Sequence, residues 1–286
     1  MRKTIVVVST FDGISVGLLA LRWRYPNHRI IYYVIEIDEK AMKISIFNNP
    51  DTDLLSIRYL GDIRLVTKDS ILEHVDLLLG GSPCQSFSIA GKQEGFDGKS
   101  GLFWEYARLK KELNPTYFLL ENVWMSKEWQ DIISNAVGTT PIMINSSLVS
   151  AQFRKRIYWT NIPNVTTPAD MGFTIPSVIP DGLSGAGIRG TFGGRYHPNG
   201  KKKWDIQNLT IRKDKKSNCL TCGGSCDKIA CKSGVLRPLT IDEWEKLQTL
   251  PVGYTNVPGI AITHRKRAIG NSWTVEVIKH IFSFLP

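Results

Sequence analysis

The stretch TIVVVSTFDGISVGLLALRW, residues 4–23, decides the fold class of this chain. Its first six residues form a short run rich in β-branched side chains, which is typical of a buried strand. Residues 14–23 then place apolar side chains at helical spacing. Phe11-Asp12-Gly13 lies between the two and predicts a tight turn that leads from the strand directly into the helix.

The same alternation of strand and helix continues through the first half of the chain. Residues 29–36 and 75–79 are apolar runs of strand length, and residues 117–120 predict a further strand. Residues 39–47 and 102–113 have helical spacing. Strands that are apolar throughout, separated by helices, indicate a parallel sheet covered on both faces. We therefore predict an α/β fold with a doubly wound sheet.

The pattern changes after residue 162. Residues 172–200 are rich in Gly and Pro, and basic runs follow at residues 201–203 and 213–216. Thr240, with Glu243 three positions later, then predicts the start of a helix. We therefore predict two units, a sheet domain formed by residues 1–162 and 237–286 and a small, basic, loop-rich domain formed by residues 163–236.

Composition and charge exclude several classes of protein. Of the 286 residues, 42% are hydrophobic and 22% are charged, which excludes a disordered or collagen-like chain. No apolar stretch approaches the roughly 20 residues of a membrane span, and the apolar run near the N-terminus is too short for a signal peptide. The formal net charge is +10, and residues 163–236 contribute 11 basic against 5 acidic residues. The basic excess favours a polyanionic partner that binds this segment.

Five cysteines are present, and four of them lie close together. An odd count with this clustering argues against a disulfide-linked secreted protein and favours a reducing cytoplasm. The four clustered thiols, Cys219, Cys222, Cys226 and Cys231, could form a tetrahedral zinc site. Their spacing is cramped and lacks two well-separated pairs, so we predict no metal and keep zinc as the alternative.

The fifth cysteine, Cys84, follows the strand at residues 75–79 through Gly80-Gly81-Ser82-Pro83. Open α/β sheets bind their ligands beyond the carboxyl ends of the strands, and a nucleophilic thiol needs such a partly exposed loop. A small buried cysteine that fills a gap is the alternative. The glycines and polar residues around Cys84 favour the nucleophile.

Two further motifs carry charged side chains to the same region. Glu121 follows the next strand, where its carboxylate would lie beside the Cys84 loop, although an acid at a helix start is the simpler alternative. Gln152, Arg154 and Arg156 share one face if their segment is extended. Two guanidinium groups on one face suit a phosphate, or a base held near a carboxylate, whereas a solvated charged strand is the alternative.

The first turn indicates the kind of cofactor. Gly13 and Gly17 do not form the G-x-G-x-x-G spacing that binds a pyrophosphate in Rossmann-like sheets. Two glycines still permit close backbone approach, which is sufficient for an adenosyl cofactor without phosphates. Glu36 ends the second strand about 20 residues further on, at the position of an acid that binds ribose hydroxyls. A tight turn with a surface carboxylate is the alternative.

Taken together, these motifs resemble the C5-cytosine-specific DNA methyltransferase family of bacterial and phage type. Residues 270–275 and 252–257 are in addition similar to the Dnmt3-type branch. The resemblance covers most of the chain outside residues 163–236. It is carried by Phe11-x-Gly13, Pro83-Cys84-Gln85, Glu121-Asn122-Val123, Gln152-x-Arg154-x-Arg156, Arg237-Pro238-Leu239-Thr240 with Glu243, Gln248 and Pro251, and Gly270-Asn271-Ser272-Trp273.

The resemblance implies a Rossmann-like S-adenosylmethionine-dependent methyltransferase fold, with residues 163–236 as the target-recognition domain. It implies Cys84, Glu121, Arg154 and Arg156 as the catalytic residues. The implied S-adenosylmethionine-binding residues are Phe11, Asp12, Gly13, Ile14, Gly17, Glu36, Ile37, Asp62, Ile63, Pro83, Asn271, Ser272 and Trp273. The implied DNA-contacting residues are Gln85, Ser88, Gln152, Arg195, Lys202 and Arg212.

The expected reaction is methylation of C5 of a cytosine flipped out of double-stranded DNA, in the cytoplasm of a bacterial or phage-infected cell and near its nucleoid. A cognate restriction endonuclease is an expected partner, and no membrane is. Two alternatives stay open, a Dnmt2-like enzyme that methylates tRNA cytosine and an inactive DNA-binding homologue. A nicotinamide-dependent dehydrogenase is disfavoured by the missing pyrophosphate glycines.

Overall fold

The main sheet contains seven strands in the part of the chain that the structure describes. The computed structural model describes residues 3–83, 99–188, 209–221 and 228–286. The strands of this sheet are β1 (Thr4–Thr10), β2 (Arg29–Ile35), β3 (Leu55–Tyr59), β4 (Leu77–Gly81), β5 (Tyr117–Val123), β6 (Ile142–Asn145) and β7 (Lys155–Thr160).

The spatial order of these strands is β3-β2-β1-β4-β5-β7-β6. Strands β1 to β5 are parallel to one another, whereas β7 is antiparallel to both β5 and β6. The chain adds β2 and β3 on one side of β1 and then β4 and β5 on the other side, which is the doubly wound arrangement predicted from the sequence. The predicted α/β fold class is therefore confirmed.

Helices cover both faces of the sheet. Val7, Leu77 and Leu79 point to one face and pack in a cluster with the first and last helices, while Val6 and Leu78 point to the other face and pack against the third helix. This explains why these strands are apolar throughout instead of alternating. The helices are α1 (Val16–Arg24), α2 (Glu39–Asn48), α3 (Phe103–Leu113), α4 (Lys127–Val137), α5 (Ile175–Val178), α6 (Ile241–Leu247), α7 (Ile262–Asn271) and α8 (Val275–Phe282).

A second sheet lies mostly within residues 163–236, the segment predicted to be loop-rich, and ends two residues beyond it. Its strands among the described residues are β8 (Gly182–Ile188), β9 (Leu209–Ile211), β10 (Lys228–Cys231) and β11 (Leu236–Pro238). They pair in an antiparallel manner in the order β11-β10-β8-β9. Strands of three or four residues, and a β8 of sequence GLSGAGI, carry too little pattern to be recognised as strands.

The predicted start of α6 is confirmed, and it is tied to the second sheet. The Thr240 side chain accepts a hydrogen bond from the Glu243 amide, and the Glu243 carboxylate accepts one from the Thr240 amide. Arg237 in β11 forms ion pairs with Glu243 at 2.7 Å and with Asp181, which precedes β8, at 2.9 Å. One guanidinium therefore links the first turn of α6 to the second sheet.

The topology brings the predicted motifs to one edge of the main sheet. The carboxyl ends of β1, β2, β4 and β5 lie at this edge, because these strands are parallel. Strand β7 runs the opposite way, so its amino end lies there too, with Arg156 paired opposite Val123 of β5. No helix among the described residues is long and apolar enough to cross a bilayer.

Gly80 is required by the packing of β4. A Cβ atom at this position would lie 2.5 Å from Cδ2 of Tyr106 and 2.7 Å from Oγ1 of Thr10. Tyr106 is fully buried and cannot move aside without disturbing the core. We therefore expect Gly80→Ala to lower the free energy of unfolding by about 1–3 kcal/mol, as overpacking does.

Chemical denaturation of the single and double variants measures this effect. In a Tyr106→Leu background the ring edge is absent, so Gly80→Ala should cost clearly less than in the wild-type protein. An equal cost in both backgrounds would show that the aromatic ring is not what excludes a side chain at Gly80.

Candidate active site

The Glu121 carboxylate is held at both of its oxygens. Glu121 lies near the end of β5, and 9% of the residue is exposed. Its Oε1 forms an ion pair with Nε of Arg156 at 2.9 Å, and its Oε2 accepts a hydrogen bond from Nε1 of Trp273 at 3.1 Å. Both charged side chains are nearly buried, so solvent ions screen this pair only weakly.

Arg154 is buried more deeply than Arg156 and bonds to main-chain carbonyls. Its Nη1 donates to the Leu220 carbonyl at 3.0 Å, and its Nη2 donates to the carbonyls of Gly270 at 3.1 Å and Ser272 at 2.9 Å. Burial, and then the charge of Arg156, lower the pKa of Arg154. An arginine still keeps its proton at neutral pH, so these carbonyls must solvate a full positive charge.

Cys219 lies between the two guanidinium groups. Its Sγ accepts hydrogen bonds from Nη1 of Arg154 at 3.6 Å and from Nη2 of Arg156 at 3.9 Å. Burial acts to raise the pKa of the Cys219 thiol, but the charges of Arg154 and Arg156 outweigh burial and bring this pKa below its ordinary value. The sequence suggested only a zinc ligand for this residue, because Cys219 is more than 60 positions from either arginine.

The loop that carries the predicted nucleophile begins beside Glu121. Gly81, the last residue of β4, is paired directly opposite Glu121 of β5. Ser82 is buried, and its hydroxyl accepts a hydrogen bond from Nδ2 of Asn122 at 3.0 Å. Cys84 lies outside the described residues, as do the predicted DNA contacts Gln85 and Ser88, so their roles stay predictions.

Gln152, predicted to contact DNA, is fully buried and bonded within the protein. Its Nε2 donates to the Leu247 carbonyl at 3.1 Å and to Oε1 of Gln248 at 3.0 Å. Its Oε1 accepts from the Leu220 amide at 2.9 Å. We call residues 152–156 the arginine segment. Gln152 connects the start of this segment to α6 and to residue 220.

The other predicted DNA contacts are described only in part. Arg212 stacks on the ring of Phe153, with Cζ 4.5 Å from the ring centroid, and its Nε donates to Asp214 at 2.9 Å. Arg195 and Lys202 lie outside the described residues.

The predicted cofactor residues of the first two strands contact one another. The Glu36 carboxylate accepts hydrogen bonds from the amides of Gly13, Ile37 and Asp38, each at 2.8 Å. Below it, Asp12 accepts a hydrogen bond from the Tyr32 hydroxyl at 2.7 Å, and burial raises the pKa of Asp12. The turn after β1 and the end of β2 are therefore fixed relative to each other.

Other predicted cofactor residues surround this turn. Ile37 is 66% exposed and provides an apolar surface beside Glu36, which suits one face of an adenine ring. Asp62 pairs with Arg64, and this hydrogen bonding lowers the pKa of Asp62. A Cβ atom at Gly17 would lie 3.5 Å from the Trp273 ring. These features fit an adenosyl group.

The remaining predicted cofactor residues differ in exposure. Phe11 has a φ of 54°, which places the turn in the left-handed region. Ile14 and Ile63 are buried in the core, Ser272 is buried, and Asn271 is exposed. Pro83 is the last described residue before Cys84.

Lys216 has a role that the sequence did not indicate. It is 8% exposed, and its ammonium group donates to the carbonyls of Ser147 at 2.6 Å, Ser150 at 3.3 Å and Phe173. Burial lowers the pKa of Lys216. A lysine within a basic run predicts a solvated side chain, and nothing in the local pattern distinguishes this one.

The zinc alternative is tested only in part. Cys231 is buried and its Sγ lies 3.7 Å from Oδ2 of Asp181, whereas Cys219 contacts the two arginines. Cys222 and Cys226 lie outside the described residues. Within the described ranges, no group of three potential ligands is close enough together to hold a metal ion.

Comparison with known proteins decides the family. Residues 5–135 match the family model of the C-5 cytosine-specific DNA methylases. Residues 5–135 form a domain of the C-5 cytosine-specific DNA methylase family. Members of this family use S-adenosylmethionine as the methyl donor. The resemblance inferred from the motifs is confirmed at the level of the family.

The relatives of this chain include phage and bacterial proteins. It is 40% identical over 150 residues to the orphan methyltransferase M.Rho11sI of Bacillus phage rho11s, which covers 52% of this chain and 27% of that protein. It is 38% identical over 179 residues to the Type II methyltransferase M.AquIA of Picosynechococcus, and the match covers 60% of this chain and 66% of that protein. The matched segment thus spans about a quarter of the phage protein and about two thirds of M.AquIA.

Solved structures show the same fold over nearly the whole chain. The Entamoeba histolytica methyltransferase EhMeth superposes with a TM-score of 0.70 at 16% identity, covering 99% of this chain and 98% of that one. A mutant of Spodoptera frugiperda DNMT2 superposes with a TM-score of 0.64 at 19% identity, and the match covers 98% of this chain and 99% of that one. These likenesses confirm the predicted methyltransferase fold.

Cys219 should titrate as an acidic thiol. Because Arg154 and Arg156 stabilise its thiolate, we expect the rate of alkylation by iodoacetamide to reach half of its plateau at a pH below the pKa of a free cysteine, which is about 8.5. Peptide mass spectrometry after labelling from pH 6 to pH 10 measures this rate, with the buried Cys231 as an internal control. A half-maximal rate at or above pH 8.5 would contradict the expected effect of the two arginines.

Proposed function

We propose that this chain is a DNA (cytosine-5)-methyltransferase that transfers the methyl group of S-adenosylmethionine to C5 of a cytosine flipped out of duplex DNA. One observation carries the proposal. The Glu121 carboxylate, held by Arg156 and Trp273, lies directly opposite the end of β4, which continues into Pro83 and Cys84. This places a carboxylate and the start of a cysteine loop at one edge of the sheet.

The proposed reaction begins with Cys84, because C5 of cytosine is not nucleophilic by itself. The Cys84 thiolate forms a bond to C6, and the electrons of the C5–C6 double bond move to C5. When bound, S-adenosylmethionine would supply the electrophilic methyl group to which these electrons form a bond, with S-adenosylhomocysteine as the leaving group. A base then removes the proton from C5, the double bond forms again, and the C6–sulfur bond breaks to release the Cys84 thiolate.

The proposed role of Glu121 is to hold N3 of the cytosine and to favour its protonation, which makes C6 accept the thiolate. A carboxylate suits this task when its position is fixed and water is limited. Glu121 is 9% exposed and has a donor on each oxygen. Arg156 binds Glu121, whereas the guanidinium of Arg154 donates hydrogen bonds to main-chain carbonyls and to Sγ of Cys219.

The cofactor is proposed to lie across the carboxyl ends of β1 and β2. Glu36 would bind the ribose hydroxyls, Ile37 would contact the adenine, and Trp273 would close the pocket above Gly17. Glu36 already accepts three main-chain hydrogen bonds, so its carboxylate is fixed before any ligand binds. Preorganisation of this kind lowers the entropic cost of binding.

Residues 163–236 are proposed to recognise duplex DNA. They contribute a net charge of +6 to the whole-chain value of +10, and positive charge near a polyanion supplies affinity that is independent of sequence. Arg212, stacked on Phe153 close to the arginine segment, is a candidate phosphate contact. A cognate restriction endonuclease is a proposed partner, because Type II methyltransferases are among the relatives.

DNA that contains 5-fluorocytosine tests the covalent step. Fluorine cannot leave C5 as a cation, so the final elimination is blocked and the enzyme should stay bound to the base. We expect the wild-type protein, with S-adenosylmethionine and a pool of duplexes of randomised sequence around 5-fluorocytosine, to form an adduct that survives denaturation. Mass spectrometry should locate the adduct on Cys84.

Two cysteine variants make this test specific. Cys84→Ala should form no adduct, whereas Cys231→Ala, at a buried cysteine of the second sheet, should form it. The mechanism is overturned if the wild-type protein gives no adduct on any duplex, or if Cys84→Ala still gives one.

Methyl transfer to two substrates distinguishes DNA from tRNA. We expect the wild-type protein to transfer tritiated methyl groups to duplex DNA, with little transfer to an equal concentration of tRNA cytosines. The rate on DNA should fall steeply between about 50 and 200 mM salt, because phosphate contacts release counterions. Faster transfer to tRNA would support the Dnmt2-like alternative, and transfer to neither would support an inactive DNA-binding homologue.

A further inference from the structure

We propose that Trp273 is a positioning residue for the catalytic acid, and that its indole N–H fixes the plane of the Glu121 carboxylate. The inference rests on the proposed function, because it assigns to Trp273 an effect on the chemical step. A place in the cofactor pocket accounts for the ring of Trp273. It does not account for the hydrogen bond that the ring nitrogen donates, at 3.1 Å, to Oε2 of Glu121.

One donor does not fix a glutamate carboxylate. The terminal torsion of a glutamate side chain is broad, so Arg156 alone, which binds Oε1, leaves the plane of the group free to turn about this contact. A second donor on Oε2 removes that freedom. With Nε of Arg156 on one oxygen and Nε1 of Trp273 on the other, the remaining lone pairs have a defined direction in which they can meet a base.

Gly81 leaves the space that this contact needs. It is paired opposite Glu121, and a Cβ atom at Gly81 would lie 3.0 Å from Nε1 of Trp273 and 3.3 Å from Oε2 of Glu121. A side chain here would press against both atoms of the hydrogen bond. The last residue of β4 therefore has a steric reason to be a glycine, independent of the nucleophile loop that follows.

The backbone on both sides of Trp273 is anchored. The Ser272 carbonyl accepts hydrogen bonds from Nη2 of Arg154 at 2.9 Å and from Nε2 of Gln248 at 3.0 Å. The Thr274 hydroxyl donates to Oε1 of the same Gln248 at 2.8 Å. The indole is thus held between two anchored neighbours, which is the support that a precise catalytic geometry requires.

The ring of Trp273 also approaches the cofactor turn, since a Cβ atom at Gly17 would lie 3.5 Å from its Cζ3. Trp273 therefore touches the region proposed for S-adenosylmethionine with one edge and the proposed catalytic acid with its nitrogen. Its two contacts can be separated by substitution, because Trp273→Phe keeps an aromatic ring and removes the N–H donor.

Single-turnover methyl transfer and cofactor binding test the inference. We expect Trp273→Phe to lower the transfer rate at saturating S-adenosylmethionine by about 10-fold or more, the effect of removing a hydrogen bond to a charged group. Its dissociation constant for S-adenosylhomocysteine, measured by calorimetry, should stay within about threefold of wild type, because the ring remains. Trp23→Phe, at a half-exposed tryptophan of α1, is the matched control and should change neither value.

A double-mutant cycle with Glu121→Gln decides whether Trp273 acts through Glu121. If it does, Trp273→Phe should lower the rate of the Glu121→Gln enzyme by much less than tenfold, because residues that act as a unit are not additive. An unchanged rate for Trp273→Phe, a loss confined to cofactor affinity, or a fully additive cycle would each overturn the inference.

A second variant keeps the test valid if Trp273→Phe fails to fold. Gly81→Ala would displace the indole from the carboxylate, and we expect the same loss of rate with cofactor affinity retained. A normal rate for Gly81→Ala would contradict the inference. Failure of the wild-type protein to transfer methyl groups would instead overturn the proposed function, so the two failures are distinguishable.

Discussion

Arg154 carries a permanent positive charge into a position where only 3% of the residue is exposed, and protein atoms must replace the water that this charge loses. The replacement comes from carbonyls that are far apart in the sequence, at Leu220, Gly270 and Ser272. Because an arginine cannot become neutral by releasing its proton, these segments have to converge on it. The positions of Cys219 and Trp273, which are next to two of these carbonyls, follow from the same constraint.

The reversal of β7 has a comparable effect on the site. In a sheet of parallel strands alone, the amino end of a strand that followed β5 would lie at the opposite edge from the end of β5. Strand β7 is antiparallel to β5, so Arg156 near the start of β7 is paired opposite Val123 of β5. From there its side chain reaches Glu121, which also lies on β5. The ion pair between Arg156 and Glu121 therefore depends on the antiparallel direction of β7.

The fold and the location of the site were accessible from the sequence because their signals are local. Apolar runs without alternation predicted the parallel strands, and motifs that follow the strands predicted the edge at which Glu121 and Glu36 lie. The contacts between motifs were not accessible. The Trp273 hydrogen bond to Glu121 spans 152 positions, and no spacing rule connects a residue after α7 with the end of β5.

Exposure was the other quantity that the sequence could not determine. An extended segment predicted that Gln152 shares a face with the two arginines, but a period of two does not indicate whether that face meets solvent or a neighbouring element. Gln152 is buried because α6 and residue 220 cover it. The short strands of the second sheet escaped prediction for a different reason, since their pairing depends on partners up to about 50 residues away.

The buried ammonium of Lys216 bears on how residues 163–236 could be exchanged for the corresponding segment of a related protein. Residues 216–220 belong by sequence to the basic segment, yet Lys216 bonds to carbonyls at 147, 150 and 173, Ser217 exchanges main-chain hydrogen bonds with Ala151 and Phe153, and Leu220 bonds to Gln152 and Arg154. A chimera that replaced residues 163–236 as one block would remove the hydrogen bonds that residues 217 and 220 form with residues 151–154. A graft that leaves residues 216–220 native would exchange the outer strands and loops while the arginine segment keeps its own support.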